Sequence, residues 1–150
     1  MLSKFLKETK MRFERKIFST FSDLRDLEND FVSFLEVNRV PSDVIYDLKI
    51  ALHEYILNVM EHGYHWAPDG IIEVAVDVDF DRSKKFNIEV EIRDYAPKFV
   101  IDKEKIMKEV NNRSFRGRGL VMILTFVDDI IYDHELKDGN RVKFVKSVKL

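Results

Sequence analysis

The sequence contains no cysteine, and only five glycines and three prolines among 150 residues. The lack of cysteine excludes disulfides, zinc–thiolate sites and cysteine nucleophiles. The scarcity of glycine and proline leaves little room for linkers, and neither an internal repeat nor a low-complexity segment is present. We therefore expect one domain, which at this size buries roughly 70% of the surface that its unfolded chain exposes.

Long apolar runs and an excess of one charge sign are also absent. The longest apolar stretch, residues 120–127, is far shorter than the roughly 20 residues of a membrane helix, and the charged N-terminal segment does not resemble a signal peptide. The 25 basic and 27 acidic residues give a formal net charge of -2, which argues against nucleic-acid binding through bulk positive charge. We expect a cytoplasmic protein that binds neither a membrane nor nucleic acid directly.

The apolar spacing changes along the chain between helix-like and strand-like periods. Residues Ser22 and Asp23 are typical caps for a first long helix. The predicted elements are a short helix over 4–13, a strand over 15–20, helices over 24–35 and 44–59, strands over 72–78 and 86–92, helices over 102–110 and 120–126, and strands over 130–134 and 142–148. This order predicts an α+β fold, a two-layer sandwich with helices on one face of a mixed, mostly antiparallel sheet.

Glu54 and Asn58 lie four residues apart in the second long helix, so they share one helical face. A carboxylate beside an amide oxygen could hold a magnesium ion or orient a nucleophile. A solvated helix face is the simpler explanation for this pair taken alone. The neighbouring His53 does not begin a zinc-protease motif, because position 57 is leucine where the second histidine is required.

Four ring side chains follow near the end of that helix. His62 and His65 are spaced so that they could share a metal, but no third ligand is in view, and we interpret them as surface histidines. Tyr64 and Trp66 are interpreted as packing residues.

Two later segments could contact a nucleotide. Asp94 follows a strand, where its carboxylate could accept a hydrogen bond from an amino group such as adenine N6, although a turn aspartate is the simpler explanation for it alone. Residues 116–120, Arg-Gly-Arg-Gly-Leu, open a helix, where free backbone N–H groups and the helix dipole favour phosphate. A Gly-x-Gly pair by itself also occurs as a plain turn.

The order of these motifs on their elements resembles the GHKL ATPases, which include gyrase, MutL and sensor histidine kinases. The finer resemblance is to the anti-sigma-factor serine/threonine kinases of the RsbW and SpoIIAB type, over roughly residues 14–148. The segments that carry it are 48–54 with Asn58 and 61–64 (their first motif), 94–99 (their Asp-x-Gly-x-x-Phe loop), 117–120 with 127–129 and Tyr132 (their last motif), and 139–142 (their final hairpin).

The resemblance implies a Bergerat-type fold with ATP between the helix layer and a lid of residues 98–116. Glu54 would be the general base, Asn58 the ligand of Mg²⁺ and Asp94 the contact to adenine. The residues implied to bind the nucleotide are Asn58, Asp94, Ala96, Arg116, Gly117, Arg118, Gly119 and Leu120. The ATPase domain would comprise residues 14–150, after an extension over 1–13 that either docks on a partner or covers a sheet edge.

The resemblance also implies the biological role. These proteins bind a sigma factor and phosphorylate a serine or threonine of a STAS-type antagonist, and a homodimer is expected. One departure is Ala96, which stands where the family loop has glycine. At a positive φ, alanine would cost on the order of 1 kcal/mol and weaken ATP binding, whereas a β-region conformation would tolerate it. This departure favours an alternative, a catalytically weak or inactive nucleotide-gated binding module. A sensor-kinase catalytic domain fits less well, because the lid is short and no phosphoacceptor helix is present.

Overall fold

A computed structural model describes residues 8–99 and 123–149 of the chain. Within these ranges, five strands form one sheet, and residues 123–126 are helical. The elements in chain order are β1 (Glu8–Phe18), α1 (Phe21–Val37), α2 (Ser42–Asn58), a π-helical turn (Val59–Gly63), β2 (Ile71–Asp81), β3 (Lys85–Asp94), β4 (Asp129–Tyr132) and β5 (Asn140–Lys149). The predicted α+β fold class is confirmed.

The strand order in the sheet is β1-β2-β3-β5-β4. The two strands predicted over 72–78 and 86–92 form an antiparallel hairpin, β2 with β3, with Val76 opposite Val90. The sheet was expected to be mixed and mostly antiparallel, and each of the four strand pairs in the described ranges is antiparallel. Strict alternation of apolar and polar residues explains this arrangement, since it gives the sheet one buried face and one partly exposed face.

The core lies between the buried face of the sheet and the two helices. Both helices contribute apolar side chains at intervals of three and four residues, which places them on one face of each helix. The fully buried members include Leu27, Phe31 and Leu35 of α1, Leu48, Leu52, Tyr55 and Ile56 of α2, and Ile72, Val76, Ile88, Val90 and Phe144 of the sheet. No helix in the described ranges is both long and apolar enough to cross a membrane.

The N-terminal segment differs from its prediction. Residues 8–13 belong to β1 rather than to a helix, and they pair with β2 from Asp81 back to Val76. The physical reason is that β2 is longer than the strand predicted over 15–20. Residues 8–13 pair with the remaining part of β2 and satisfy its backbone hydrogen bonds. These residues therefore cover an edge of β2, which is one of the two roles left open for the extension. Residues 1–7 lie outside the described part of the chain, and the domain boundary at residue 14 stays a prediction.

The first helix also begins earlier than predicted. Thr20 is its N-cap, and the Thr20 hydroxyl oxygen accepts a hydrogen bond from the backbone N–H of Asp23 at 3.1 Å. The predicted caps Ser22 and Asp23 instead lie in the first turn. The carboxylate of Asp23 accepts from the backbone N–H of Phe18 at 2.9 Å, so it ties the helix start to β1. The predicted helix over 102–110 lies outside the described residues.

Candidate nucleotide site

Asp94 is the last residue of β3, and its side chain is fully buried. Its Oδ1 accepts hydrogen bonds from Asn140 Nδ2 at 2.9 Å and from the backbone N–H of Ala96 at 3.0 Å. Its Oδ2 is buried and has no hydrogen-bond partner among the described residues. Burial raises the pKa of Asp94 above its ordinary value, while the bonds from Asn140 and Ala96 and the charge of Arg93 oppose that rise.

The unpaired Oδ2 of Asp94 shows whether this site suits the base of a nucleotide. Leaving a buried acceptor without a donor costs roughly 1–3 kcal/mol. An exocyclic amino group, such as the one at C6 of adenine, supplies the missing N–H. Asp94 is therefore suited to the role that the sequence predicted for it.

Asn140 holds Asp94 in place. It is the first residue of β5, lies opposite Asp94 in the strand register, and is fully buried. Its Nδ2 also donates to the Pro97 carbonyl at 3.2 Å, and its Oδ1 accepts from the Phe99 N–H at 3.0 Å and from the Tyr132 hydroxyl at 2.8 Å. One side chain therefore fixes both the carboxylate and the loop that follows it.

Sequence reasoning missed this role and treated Asn140 only as part of a hairpin turn. A signal was present, because Asn140 continues the alternation of Val142 and Phe144 and so falls on the inner face of the sheet. A polar residue at an inner position usually has specific hydrogen bonds. The preceding Gly139 has φ +69°, and a Cβ there would lie 2.1 Å from the Asp94 carbonyl oxygen, so only glycine fits.

Ala96 is buried and packs against the end of the helix layer. An ideal Cβ on Gly63, in the π-helical turn, would lie 2.8 Å from the Ala96 Cβ. Among the described residues, positive φ values at non-glycine positions occur at Arg39, His65, Trp66 and Lys84. Ala96 is not one of them, so the strain expected for alanine in this loop is absent, and its methyl group occupies the space above Gly63.

We expect Gly63→Ala to destabilise the protein by about 1–3 kcal/mol, because the added methyl group meets that of Ala96. Ala96→Gly alone should cost on the order of 1 kcal/mol for the lost buried methyl group. The double variant should recover much of the loss caused by Gly63→Ala. Denaturant unfolding of the three variants measures this coupling. Simple addition of the two losses would contradict the contact.

Tyr55 lies one residue after Glu54 in α2 and is fully buried. Its ring centroid lies 5.5 Å from that of Phe144, edge-on, and 6.3 Å from that of Phe99. Burial and the nearby carboxylate of Asp94 raise the pKa of Tyr55 well above its ordinary value. Sequence reasoning assigned no role to the Tyr55 hydroxyl group.

Glu54 and Asn58 are both half-buried, and Asn58 is the last residue of α2. In the described ranges, neither side chain makes a hydrogen bond or ion pair. These ranges also contain no group of three histidine, aspartate or glutamate side chains placed to hold a metal ion. A magnesium ion at Asn58 would therefore need most of its ligands from phosphate and water.

Two of the three histidines in this region, His53 and His62, lie close to a glutamate. His53 Nδ1 pairs with the carboxylate of the buried Glu28, which links α2 to α1. His62 is exposed, and its Nε2 lies 3.7 Å from Glu61 Oε2. His65 is also exposed.

Tyr64 and Trp66 pack, as predicted. The Tyr64 hydroxyl donates to the Ile71 carbonyl at 2.6 Å and accepts from the Tyr95 N–H at 2.8 Å, which supports the start of the loop after Asp94. Trp66 is half exposed and stacks on Phe21 with ring centroids 5.7 Å apart.

The predicted phosphate-binding residues Arg116, Gly117, Arg118, Gly119 and Leu120 lie outside the described residues. The same holds for the predicted lid except Lys98 and Phe99. The structure thus brings Asp94, Ala96 and the Glu54–Asn58 helix into one region, and the phosphate end of the site stays a prediction.

Comparison with known proteins identifies the family. Residues 19–146 match the family model described as the histidine kinase-like ATPase domain. The chain belongs to the histidine kinase-like ATPase family. Two anti-sigma F factors of Clostridium botulinum, from strains Alaska E43 and Eklund 17B, are 29% and 28% identical to it over 112 residues, which cover 72% of this chain and 74% of each relative.

Two solved structures share the fold of this histidine kinase-like ATPase. The RsbU and RsbW domains of a Mycobacterium tuberculosis protein align with a TM-score of 0.60 and 17% identity over 92% of this chain, which spans only 33% of that one. The SiaB–SiaC complex of Pseudomonas aeruginosa aligns with a TM-score of 0.54 and 12% identity over 98% of this chain and 93% of the other. The predicted resemblance to proteins of the RsbW and SpoIIAB type is confirmed, and an ATPase domain implies nucleotide binding.

Proposed function

We propose that this protein is an ATP- and Mg²⁺-dependent serine/threonine kinase that acts as an anti-sigma factor. Its substrate would be a STAS-type antagonist protein, its second partner a sigma factor or similar regulator, and its working form a cytoplasmic homodimer. The observation that carries nucleotide binding is the buried, unpaired Oδ2 of Asp94. The names of the Clostridium botulinum relatives, both anti-sigma F factors, support the regulatory role.

Recognition of the base would depend on the Asp94–Asn140 pair. Asn140 donates to Oδ1 of Asp94 and so leaves Oδ2 as the acceptor for adenine N6. Because the side chain of Asn140 is itself held by Tyr132 and Phe99, the carboxylate is oriented before the nucleotide arrives. Such preorganisation lowers the entropic cost of binding.

The phosphates would lie toward Asn58 and residues 117–120. Asn58 would contribute an amide oxygen to Mg²⁺, which when bound neutralises charge on the phosphates. The backbone N–H groups of Gly117 to Leu120 would contact phosphate oxygens at a helix start, with Arg116 and Arg118 adding positive charge.

Glu54 would act on the protein substrate. It lies one helical turn before Asn58, on the same face of α2. In an in-line transfer, the hydroxyl oxygen of the acceptor serine or threonine bonds to the terminal phosphorus as the bond from phosphorus to the ADP oxygen breaks. Glu54 would accept the proton that the hydroxyl loses.

Calorimetric titration with Mg-ATP and Mg-ADP, followed by transfer of radiolabelled phosphate to the cognate antagonist, tests the proposal. We expect heat of binding with both nucleotides and labelling of the antagonist on serine or threonine. Neither heat nor a thermal shift with either nucleotide would contradict nucleotide binding. Binding without transfer, with the true partner present, would favour the nucleotide-gated binding module instead.

A further inference from the structure

Two fully buried oxygens near the candidate site have no hydrogen-bond partner in the described part of the chain: the Tyr55 hydroxyl and Asp94 Oδ2. Buried polar groups are nearly always paired in folded proteins, so each exception needs an explanation. Asp94 has been assigned to the amino group of the base. Tyr55 has no assigned role.

A chain of contacts places Tyr55 in the same cluster as Asp94. The Tyr55 ring packs on that of Phe99, whose backbone N–H donates to Asn140, and Asn140 in turn donates to Asp94. Tyr132 belongs to this cluster as well, with its ring centroid 6.4 Å from that of Phe99. The Tyr132 hydroxyl, however, is already paired with Asn140.

The two unpaired oxygens have opposite hydrogen-bonding capacities. Tyr55 keeps its proton at neutral pH, since its pKa is raised well above the ordinary value, so its hydroxyl can donate. Ionised Asp94 can only accept. A ligand that accepts from the Tyr55 hydroxyl and donates to Asp94 Oδ2 would pair both oxygens.

We propose that Tyr55 is a specificity-determining residue of the base site, with its hydroxyl donating to adenine N1 while Asp94 accepts from adenine N6. This inference rests on the proposed nucleotide binding. The Watson–Crick edge of adenine carries this donor beside this acceptor. Guanine presents the acceptor O6 to the carboxylate of Asp94, which can only accept, so Asp94 rejects it.

The test compares nucleotide analogues in the wild-type protein and in Tyr55→Phe, which removes only the hydroxyl. We expect Tyr55→Phe to weaken ATP binding about five- to thirty-fold in calorimetric titration. For the wild type, 1-deaza-ATP, in which a C–H group replaces N1, should show the same loss. Combining the variant with 1-deaza-ATP should add no further loss, since both remove one hydrogen bond. An additive loss would overturn the proposal.

The analogue 7-deaza-ATP is the control for the edge of the base. It keeps N1 and should bind the wild-type protein as ATP does. A loss with 7-deaza-ATP that Tyr55→Phe abolishes would overturn the N1 assignment, because N6 and N7 also form a donor–acceptor pair.

Tyr132→Phe is the matched control for stability. It removes a hydroxyl that is paired with Asn140, so it should lower the melting temperature of the nucleotide-free protein. Tyr55→Phe should leave that temperature unchanged or raise it. An equal fall for both variants would mean that the Tyr55 hydroxyl is paired within the protein, and would overturn the proposal.

The outcomes separate this inference from the function on which it rests. If the wild type binds no adenine nucleotide, both fail. If ATP binding depends on Asp94 but not on the Tyr55 hydroxyl, only the assignment of Tyr55 fails.

Discussion

Replacement of Glu54 by glutamine is expected to slow phosphate transfer to the antagonist about 10²–10⁴-fold, the usual effect of removing a general base. Glutamine keeps the size and polarity of the side chain but cannot accept the proton of the attacking hydroxyl. ATP affinity should change by less than about tenfold, because the loss falls on the transition state rather than on the bound nucleotide. The measurement is radiolabelled transfer, with ATP affinity determined in parallel.

Glu36→Gln is a matched control for this experiment. Glu36 is an exposed glutamate near the end of α1, outside the segments that resemble the family motifs. The same chemical change there should leave transfer unaffected. A wild-type rate in Glu54→Gln would remove Glu54 from the catalytic role.

Asp94→Asn is expected to weaken ATP binding by about one to two decades, since a mispaired buried group costs roughly 1–3 kcal/mol. The amide keeps one oxygen for Asn140 and Ala96, but it places a donor where adenine N6 also donates. The same substitution should stabilise the nucleotide-free protein, because it removes a buried ionised carboxylate with one unpaired oxygen. Calorimetry and denaturant unfolding measure the two effects.

The stability gain from Asp94→Asn should depend on pH. The native pKa of Asp94 is raised above its ordinary value, so the native state binds this proton more tightly than the unfolded chain does. The resulting stability is fully present below the unfolded pKa and is lost as pH rises through the native pKa. The stability advantage of Asp94→Asn over the wild type should therefore be largest at neutral pH and should disappear in acid. The exposed Asp69→Asn is the control, and an advantage that grows in acid would contradict the sign.

The parts of the fold that were predicted correctly are those whose residues show a regular apolar period along the chain. Period-two alternation located β2 and β3, and it also placed Asp94 at the end of a strand, where the structure has it. Residues 8–13 were predicted as a helix because their strand depends on pairing with β2, from Phe13 with Val76, 63 positions later, to Glu8 with Asp81, 73 positions later. The segment itself carries only a weak signal, the alternation of Met11 and Phe13 with charged residues.

The candidate site also combines residues that the sequence predicts with residues whose roles depend on distant segments. Glu54, Asn58 and Asp94 could be identified from their spacing and family resemblance, since both are properties of the linear sequence. The roles of Asn140 and Tyr55 could not, because they depend on which groups lie opposite a buried side chain. The effect of Ala96 depended on the φ of its own loop and on Gly63 in another segment, and neither can be read from the residues around Ala96.

The π-helical turn after Asn58 also sets the angular position of the residues that follow. The Tyr64 N–H bonds to the Val59 carbonyl, five residues back, at 2.9 Å, so this turn holds one residue more than an α-helical turn would. One additional residue rotates everything after it by about 100° around the helix axis. With this extra residue, Gly63 lies on the side of the turn that faces Ala96, and His62 lies on the side that faces solvent. A change of one residue in length here would alter the contact between Gly63 and Ala96 and would also displace Val59 and Met60, which are buried in the core.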